Sequence, residues 1–288
     1  MSKGEKYMGE IDVLYCVSQE DLNFKFTKSV LSCVKYFTLL RDIYFVTNNK
    51  NKLEDFIDKN LKELECDFTV MDDNEIISEL KIPGWYKQQI IKLRSYQFIR
   101  SKYICCLGAD AILRDYITYE DLFYNNQPII YFNRYLHTEK HLMYERERVK
   151  NVSQLLDVEP KKSLILGDFI MELFLFDSNV LELLEEIIAY KYDSYETLLK
   201  NVSCSKLSER NKFGEWTLYS VFLLEVLKVR FKVKNSRNVF VEQIHSKNDL
   251  IHHNCQAKIV HVVDKNISLH ELYKTHIIEV DKDDREDR

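Results

Sequence analysis

Apolar runs and amphipathic stretches alternate along most of this chain. Ile11 to Ser18 reads Ile-Asp-Val-Leu-Tyr-Cys-Val-Ser, a composition suited to a strand buried on both faces. Phe24 to Phe37 carries Phe26, Val30, Val34 and Phe37 at helical spacing, which predicts a crossover helix. Ile43 to Val46 predicts a second strand ending in the polar turn Thr47-Asn48-Asn49, followed by a helix over Leu53 to Leu64 and a strand over Asp67 to Met71. Strands separated by helices imply βαβ units, hence an α/β fold with a mostly parallel sheet flanked by helices.

The pattern continues past Asp72-Asp73 with a short helix, Glu75 to Leu80, broken by Pro83-Gly84. A helix over Tyr86 to Ser101 leads into the apolar strand Tyr103 to Leu107, and the chain then reads Gly108-Ala109-Asp110. An acid just beyond the carboxyl end of a buried strand stands where open α/β sheets bind ligands, which makes Asp110 the first functional candidate. Pro128 to Phe132 predicts another strand, and a charged insertion runs from Asn133 to Lys162. Order returns with a core strand in Phe169 to Phe176 and an amphipathic helix over Val180 to Tyr190. A helix over Thr217 to Val226, a short strand at Phe231 to Val233 and a last apolar strand, Lys258 to Val263, complete the reading.

Composition narrows the function. With 288 residues and 45% hydrophobic content the chain can fill one large core. One domain over residues 10–280 is expected, with flexible tails at 1–9 and 281–288. A net charge of -5 gives no electrostatic reason to expect nucleic acid. Seven cysteines without a C-x-x-C pair read as reduced thiols of a cytoplasmic protein, and Cys105 and Cys106 should face opposite sides of their strand. No apolar run has the length of a membrane span. The mixture of Lys and Arg with Leu, Met and Tyr from His137 to Lys162 is compatible with peripheral association at the inner face of a membrane, although a solvated helix with ion pairs is the plainer reading.

Only six glycines punctuate the chain, and both tryptophans, Trp85 and Trp216, lie beside one of them. The tryptophans suit stacking on sugar or base equally with anchoring a core. Gln88 and Gln89, adjacent on a helix, cannot share a face. Ser18 and Gln19 after the first strand, and Asn48 or Asn49 after the second, sit at strand ends, where open α/β sheets meet ligands, and are also ordinary turn formers.

Three segments resemble bacterial GT-A-type glycosyltransferases, in particular glycosyltransferase-like polysaccharide-biosynthesis proteins: Gly84-Trp85-Tyr86-Lys87-Gln88-Gln89-Ile90-Ile91-Lys92, Gly108-Ala109-Asp110, and Phe213-Gly214-Glu215-Trp216-Thr217-Leu218-Tyr219. The resemblance spans roughly Ile11 to Leu224. It implies a GT-A-like sheet whose first half (10–132) binds the nucleotide-sugar and whose second half (133–280) binds the acceptor, with a helical insertion on the acceptor side. The implied activity is sugar transfer from a nucleotide-sugar donor, a UDP-sugar by preference, to a glycan, lipid-linked or small acceptor, with inversion mildly favoured. It also implies a divalent cation, manganese or magnesium, held against the donor diphosphate by an Asp-x-Asp pair. Here Gly108 stands at the first position of that pair, so only Asp110 remains.

On this resemblance Ser18, Asn48, Trp85, Gln89, Lys92, Ala109 and Asp110 are expected at the donor, with Lys87 and Arg94 as further cations for the diphosphate. Trp216 is expected at the acceptor. His261, in the last apolar strand, is implied as a second metal ligand beside Asp110, with His252-His253 as the alternative; a core histidine is the structural reading. Glu215 is implied as general base, although a Glu opening a helix also suits the helix dipole. Asp168, after Gly167, is a second acceptor-side acid or the end of a turn. Two other readings compete: a non-catalytic nucleotide- or glycan-binding relative with a decayed Asp-x-Asp, and a nucleotidyltransferase. The second is disfavoured because Ser18-Gln-Glu-Asp-Leu-Asn, after the first strand, contains no glycine to wrap a phosphate.

Overall fold

The structure is a computed structural model that describes residues 10–62, 64–77, 84–132, 139–167, 169, 171–203, 213–229, 232–235, 241–244, 257–262, 267–268 and 271. The first half follows the expected alternation: β1 (Ile11–Val17), α1 (Phe24–Tyr36), β2 (Leu40–Thr47), α2 (Lys50–Asn60), β3 (Asp67–Asp72), α3 (Asp73–Ile76), α4 (Gly84–Leu93) and β4 (Tyr103–Leu107). After the short strand β5 (Ala111–Leu113) come the helix α5 (Glu139–Leu155), the strand β6 (Leu173–Asp177), and the helices α6 (Ser178–Tyr192) and α7 (Glu215–Val221). Two strands, β7 (Val241–Ile244) and β8 (Ile259–Val262), close the described chain.

Five strands form the main sheet in the order β3-β2-β1-β4-β6. β1, β2, β3 and β4 are mutually parallel, and β6 joins β4 antiparallel, with Leu107 opposite Leu173. This is the α/β, mostly parallel architecture that the alternation predicted. Its two faces explain why β1 is apolar at nearly every position. Val13, Tyr15 and Val17 enter one core cluster while Leu14 enters the other. Cys105 and Cys106 divide between the same two clusters, as a strand's alternation requires. The exception within β1, Asp12, is fully buried and is held by Arg41 through Nε (2.8 Å) and Nη2 (2.5 Å) and by Ser101 Oγ (2.5 Å).

Two elements depart from expectation for local reasons. The helix expected to reach Ser101 ends at Leu93, where Ser95 turns its hydroxyl back onto Lys92 O (2.8 Å) and a single 3₁₀ turn, Ser95–Gln97, follows. Serine bonding to nearby backbone competes with helix continuation. The charged insertion is solvated on one face only over its described side chains: α5 buries Arg148, Val149, Val152 and Ser153 and packs against α7, while Arg146, Lys150 and Gln154 stay exposed. Cys16, Cys33, Cys66, Cys105 and Cys106 are free thiols. Among the described residues no helix is long and apolar enough to cross a membrane. The predicted strand at Phe231 to Val233 appears as Val233–Asn235, paired with Ile130–Phe132; Phe231, His252, His253 and both tails lie outside the described residues.

Candidate functional site

β2 and β3 lie on one side of β1 and β4 on the other, so the strand order reverses between β1 and β4. Such a reversal opens a crevice beyond the carboxyl ends of the two strands, because their onward connections diverge to opposite faces. A crevice of about 180 Å³ lies there, lined by Cys16 from the end of β1 and by Cys106 to Asp110 from the end of β4. Gln88 and Lys92, one helical turn apart on α4, form another wall, and Asp21, Glu172 and Trp216 complete it.

Asp110 is delivered by a tight turn. Gly108 O accepts from Ala111 N (3.1 Å), and the chain then leaves the main sheet as β5, which pairs antiparallel with β8 and places Ala111 opposite His261. Helix α1 fastens the turn from below. Ser29 Oγ lies 2.7 Å from Ala111 O and 3.1 Å from Gly108 O, donating to one at a time, and Ser32 Oγ accepts from Leu113 N (2.9 Å). Lys25, on the same helix, donates to Val262 O (3.1 Å), tying β8 to it as well.

Three side chains meet at this junction. His261 Nε2 is 3.1 Å from Asp110 Oδ2, and His261 Nδ1 is 3.0 Å from Glu172 Oε1. The imidazole therefore lies between the two carboxylates, at ion-pair distance from each. Asp110, Glu172 and His261 each present one ligand atom, all within 4.8 Å of one another, in a setting that is partly buried. Oxygen and imidazole donors at this spacing fit a divalent cation such as manganese or magnesium.

Burial alone would discharge His261, but Glu172 and Asp110 outweigh it and push its pKa up to about 10. Asp110 responds in the opposite sense: burial raises its pKa, but the hydrogen bond and charge of His261 prevail and hold it below the ordinary carboxylate value. A histidine whose pKa rises on folding stabilises the fold fully below its ordinary value of 6.5, and that contribution disappears as pH rises through about 10. In chelator-treated buffer the stability gap between the wild type and His261→Gln, read by urea unfolding, should be wide near pH 7 and closed by about pH 11. A gap independent of pH would rule out the bridging imidazolium.

Beneath the crevice lies a second pair. Lys92 Nζ donates to Glu215 Oε1 at 2.7 Å and lies over the Trp216 ring, 4.5 Å from its centroid. Burial works against the ammonium, but Glu215 more than compensates, so the Lys92 pKa is raised. Glu215, which opens α7, is 4% exposed and does not line the crevice, whereas Lys92 does. Trp216 stacks near Phe174 (6.0 Å between centroids), and its indole Nε1 has no hydrogen-bond partner.

The other sequence candidates are distributed unevenly. Ala109 and Asp110 line the crevice. Of the two glutamines it is Gln88 that does so; Gln89 points inward with Tyr86, Ile90 and Leu93, 2% exposed, its amide atoms unpartnered. Trp85 is exposed against Tyr86. Ser18 caps a 3₁₀ turn by bonding Asp21 Oδ2 through its N (2.8 Å) and Oγ (2.7 Å), so Asp21 rather than Ser18 reaches the crevice wall. Asn48 is exposed at the end of β2. Lys87 is engaged by Asp73 (2.6 Å) and Arg94 by Glu185 and Glu196, which leaves neither at the crevice. Asp168 lies outside the described residues. Sequence reading missed Glu172; the signal available was a lone carboxylate within the apolar run Phe169 to Phe176.

Fold and site together define an α/β protein with a cation-competent cluster at the reversal of its sheet. The chain belongs to the DUF6492 family, a family of unknown function, which it matches over residues 28–268. Among solved structures it is similar to mouse xyloside xylosyltransferase 1 in its apo form, with 13% identity, a TM-score of 0.49, and coverage of 90% of this chain and 99% of that one. No curated protein matches the sequence.

Proposed function

We propose that this protein is a glycosyltransferase that moves a sugar from a nucleoside-diphosphate donor, a UDP-sugar by preference, to a glycan, lipid-linked or small acceptor. One observation carries the reading: a cluster suited to a divalent cation and a fixed lysine ammonium converge on one crevice at the sheet reversal. That pairing matches the need of a departing diphosphate, whose negative charge grows as the bond to the sugar breaks. The crevice is smaller than the roughly 300–1,000 Å³ of a typical small-molecule pocket, which suits the charged centre of a donor rather than the whole of it. The three segments noted in the sequence support the reading independently: two of them contribute Lys92 and Asp110 to the crevice wall, and the third contributes Trp216.

In this scheme the bond between the anomeric carbon and the β-phosphate oxygen breaks, a bond to the acceptor oxygen forms, and the acceptor hydroxyl's proton passes to solvent water. Asp110 and His261 would hold the divalent cation, which when bound supplies Lewis-acid stabilisation of the diphosphate. Lys92 holds positive charge against the same phosphates from another part of the lining. Trp216 lines the crevice beside it, its ring facing the Lys92 ammonium. Glu215, expected from the sequence as the base, takes a positioning role on this geometry. Its carboxylate is committed to Lys92 behind the crevice, where it fixes the ammonium and keeps it charged.

Thermal-shift measurements with UDP, GDP, CDP and their sugars, each with and without manganese, test the reading. A nucleoside diphosphate with manganese should stabilise the protein beyond either component alone, because a ligand that binds only the native state raises the unfolding temperature. Absence of any shift across the panel would sink the proposal. A shift without transfer or donor hydrolysis would instead identify a binding module.

A further inference from the structure

We infer that Glu172 is the third protein ligand of the cation site, and that position 108 is glycine because the Glu172 carboxylate occupies the room a side chain there would need. The inference rests on the cation role given above to Asp110 and His261 and adds the residue that completes it.

The geometry is that of a carboxylate reaching across a strand pair. Leu107 stands opposite Leu173 in the antiparallel ladder, and Gly108 N donates to Glu172 O (2.8 Å), so positions 108 and 172 are the next facing pair. Side chains of facing residues emerge on the same side of the sheet with Cβ atoms roughly 5 Å apart. A carboxylate can therefore be provided from either position to nearly the same point. A Cβ built on Gly108 would lie 2.3 Å from Glu172 Oε2 and 3.4 Å from Asp110 Oδ1. The first distance is closer than a Cβ can sit, so a side chain at 108 would make the Glu172 carboxylate swing aside from this position. It shows that Glu172 folds back over residue 108 toward Asp110, and the longer Glu side chain covers the gap between the strands. Gly108 has no positive φ among the backbone exceptions, so conformational freedom does not account for the glycine and room does.

One further observation points to a ligand rather than to a self-contained ion cluster. Trp216, 9% exposed on the same crevice, leaves its indole Nε1 unpartnered. A buried N–H without a partner is costly, and acceptor oxygens brought into the crevice with a bound cation would satisfy it.

Manganese binding to the protein alone, followed by the electron paramagnetic resonance of free manganese, tests the assignment without any activity measurement. Glu172→Gln should weaken binding at least about tenfold, on the scale of removing a supporting group from a metal site. Gly108→Asp alone should also weaken it, because the new side chain makes the Glu172 carboxylate swing aside. The double variant Gly108→Asp/Glu172→Ala, which moves the carboxylate across the ladder, should recover affinity to within a few-fold of the wild type, thermal unfolding confirming that each variant is folded. Unchanged affinity in Glu172→Gln, or a double variant no better than Glu172→Ala alone, would overturn the assignment. Manganese binding that requires Glu172 without any binding of UDP would uphold this site and sink the nucleotide-sugar reading. UDP binding by a wild type that holds no manganese would do the reverse.

Discussion

Asp110→Asn is expected to lower manganese-dependent binding of a nucleoside diphosphate, and sugar transfer with it, by roughly 10²–10³, the scale of losing one group that stabilises developing charge. The fold should respond only in part. Asp110 sits in a turn that asparagine also suits and its side chain is 41% exposed, but the charge it sets against the His261 imidazolium is lost, so a moderate loss of stability is expected near pH 7, smaller than that of His261→Gln. Measuring donor affinity by calorimetry beside urea unfolding separates the two effects. A variant that binds and transfers as the wild type does would remove Asp110 from the site. A variant that loses binding only because it unfolds would reassign it to structure.

The pair beneath the crevice should behave in the opposite way. Lys92→Met leaves the Glu215 carboxylate, 4% exposed, without its cation, and orphaning a buried charge costs roughly 3–5 kcal/mol. Removing both charges as Lys92→Met/Glu215→Leu should recover most of that loss, since an apolar pair of similar volume is often no worse than the ions it replaces. The double-mutant cycle should therefore return a coupling well above about 0.5 kcal/mol, the level at which independent sites simply add. Diphosphate affinity should not recover in the double variant, because the ammonium lining the crevice is still missing. Recovery of binding together with stability would refute the phosphate contact of Lys92, and additive single costs would refute the pair.

The contrast between these variants follows from where each residue became legible. Asp110 could be read from local order, since an apolar strand followed by a glycine and an acid has one place in an open α/β sheet. His261 could be read more weakly, as a polar group in the last apolar strand. Glu172 could not be assigned, because the run Phe169 to Phe176 reads only as core until β6 is known to lie antiparallel beside β4, with position 172 facing 108. The link between Lys92 and Glu215 spans 123 residues, and the helix periodicity of neither segment contains it. Lys87 and Arg94 looked equivalent to Lys92 as cations on one helix; the acids that engage them, Asp73 for the one and Glu185 and Glu196 for the other, decide between the three.

By itself, then, the sequence determined the alternation of strands and helices, the double-sided burial of β1 and the placing of Asp110 just past β4. Each depends on periodicity, turn chemistry and burial, which act over a few residues at a time. The tertiary structure alone decided the antiparallel entry of β6, the engagement of Glu215 by Lys92, and the meeting of Asp110, Glu172 and His261. Those depend on which strands lie side by side, and strand pairing is fixed by the packing of the whole sheet rather than by any single segment.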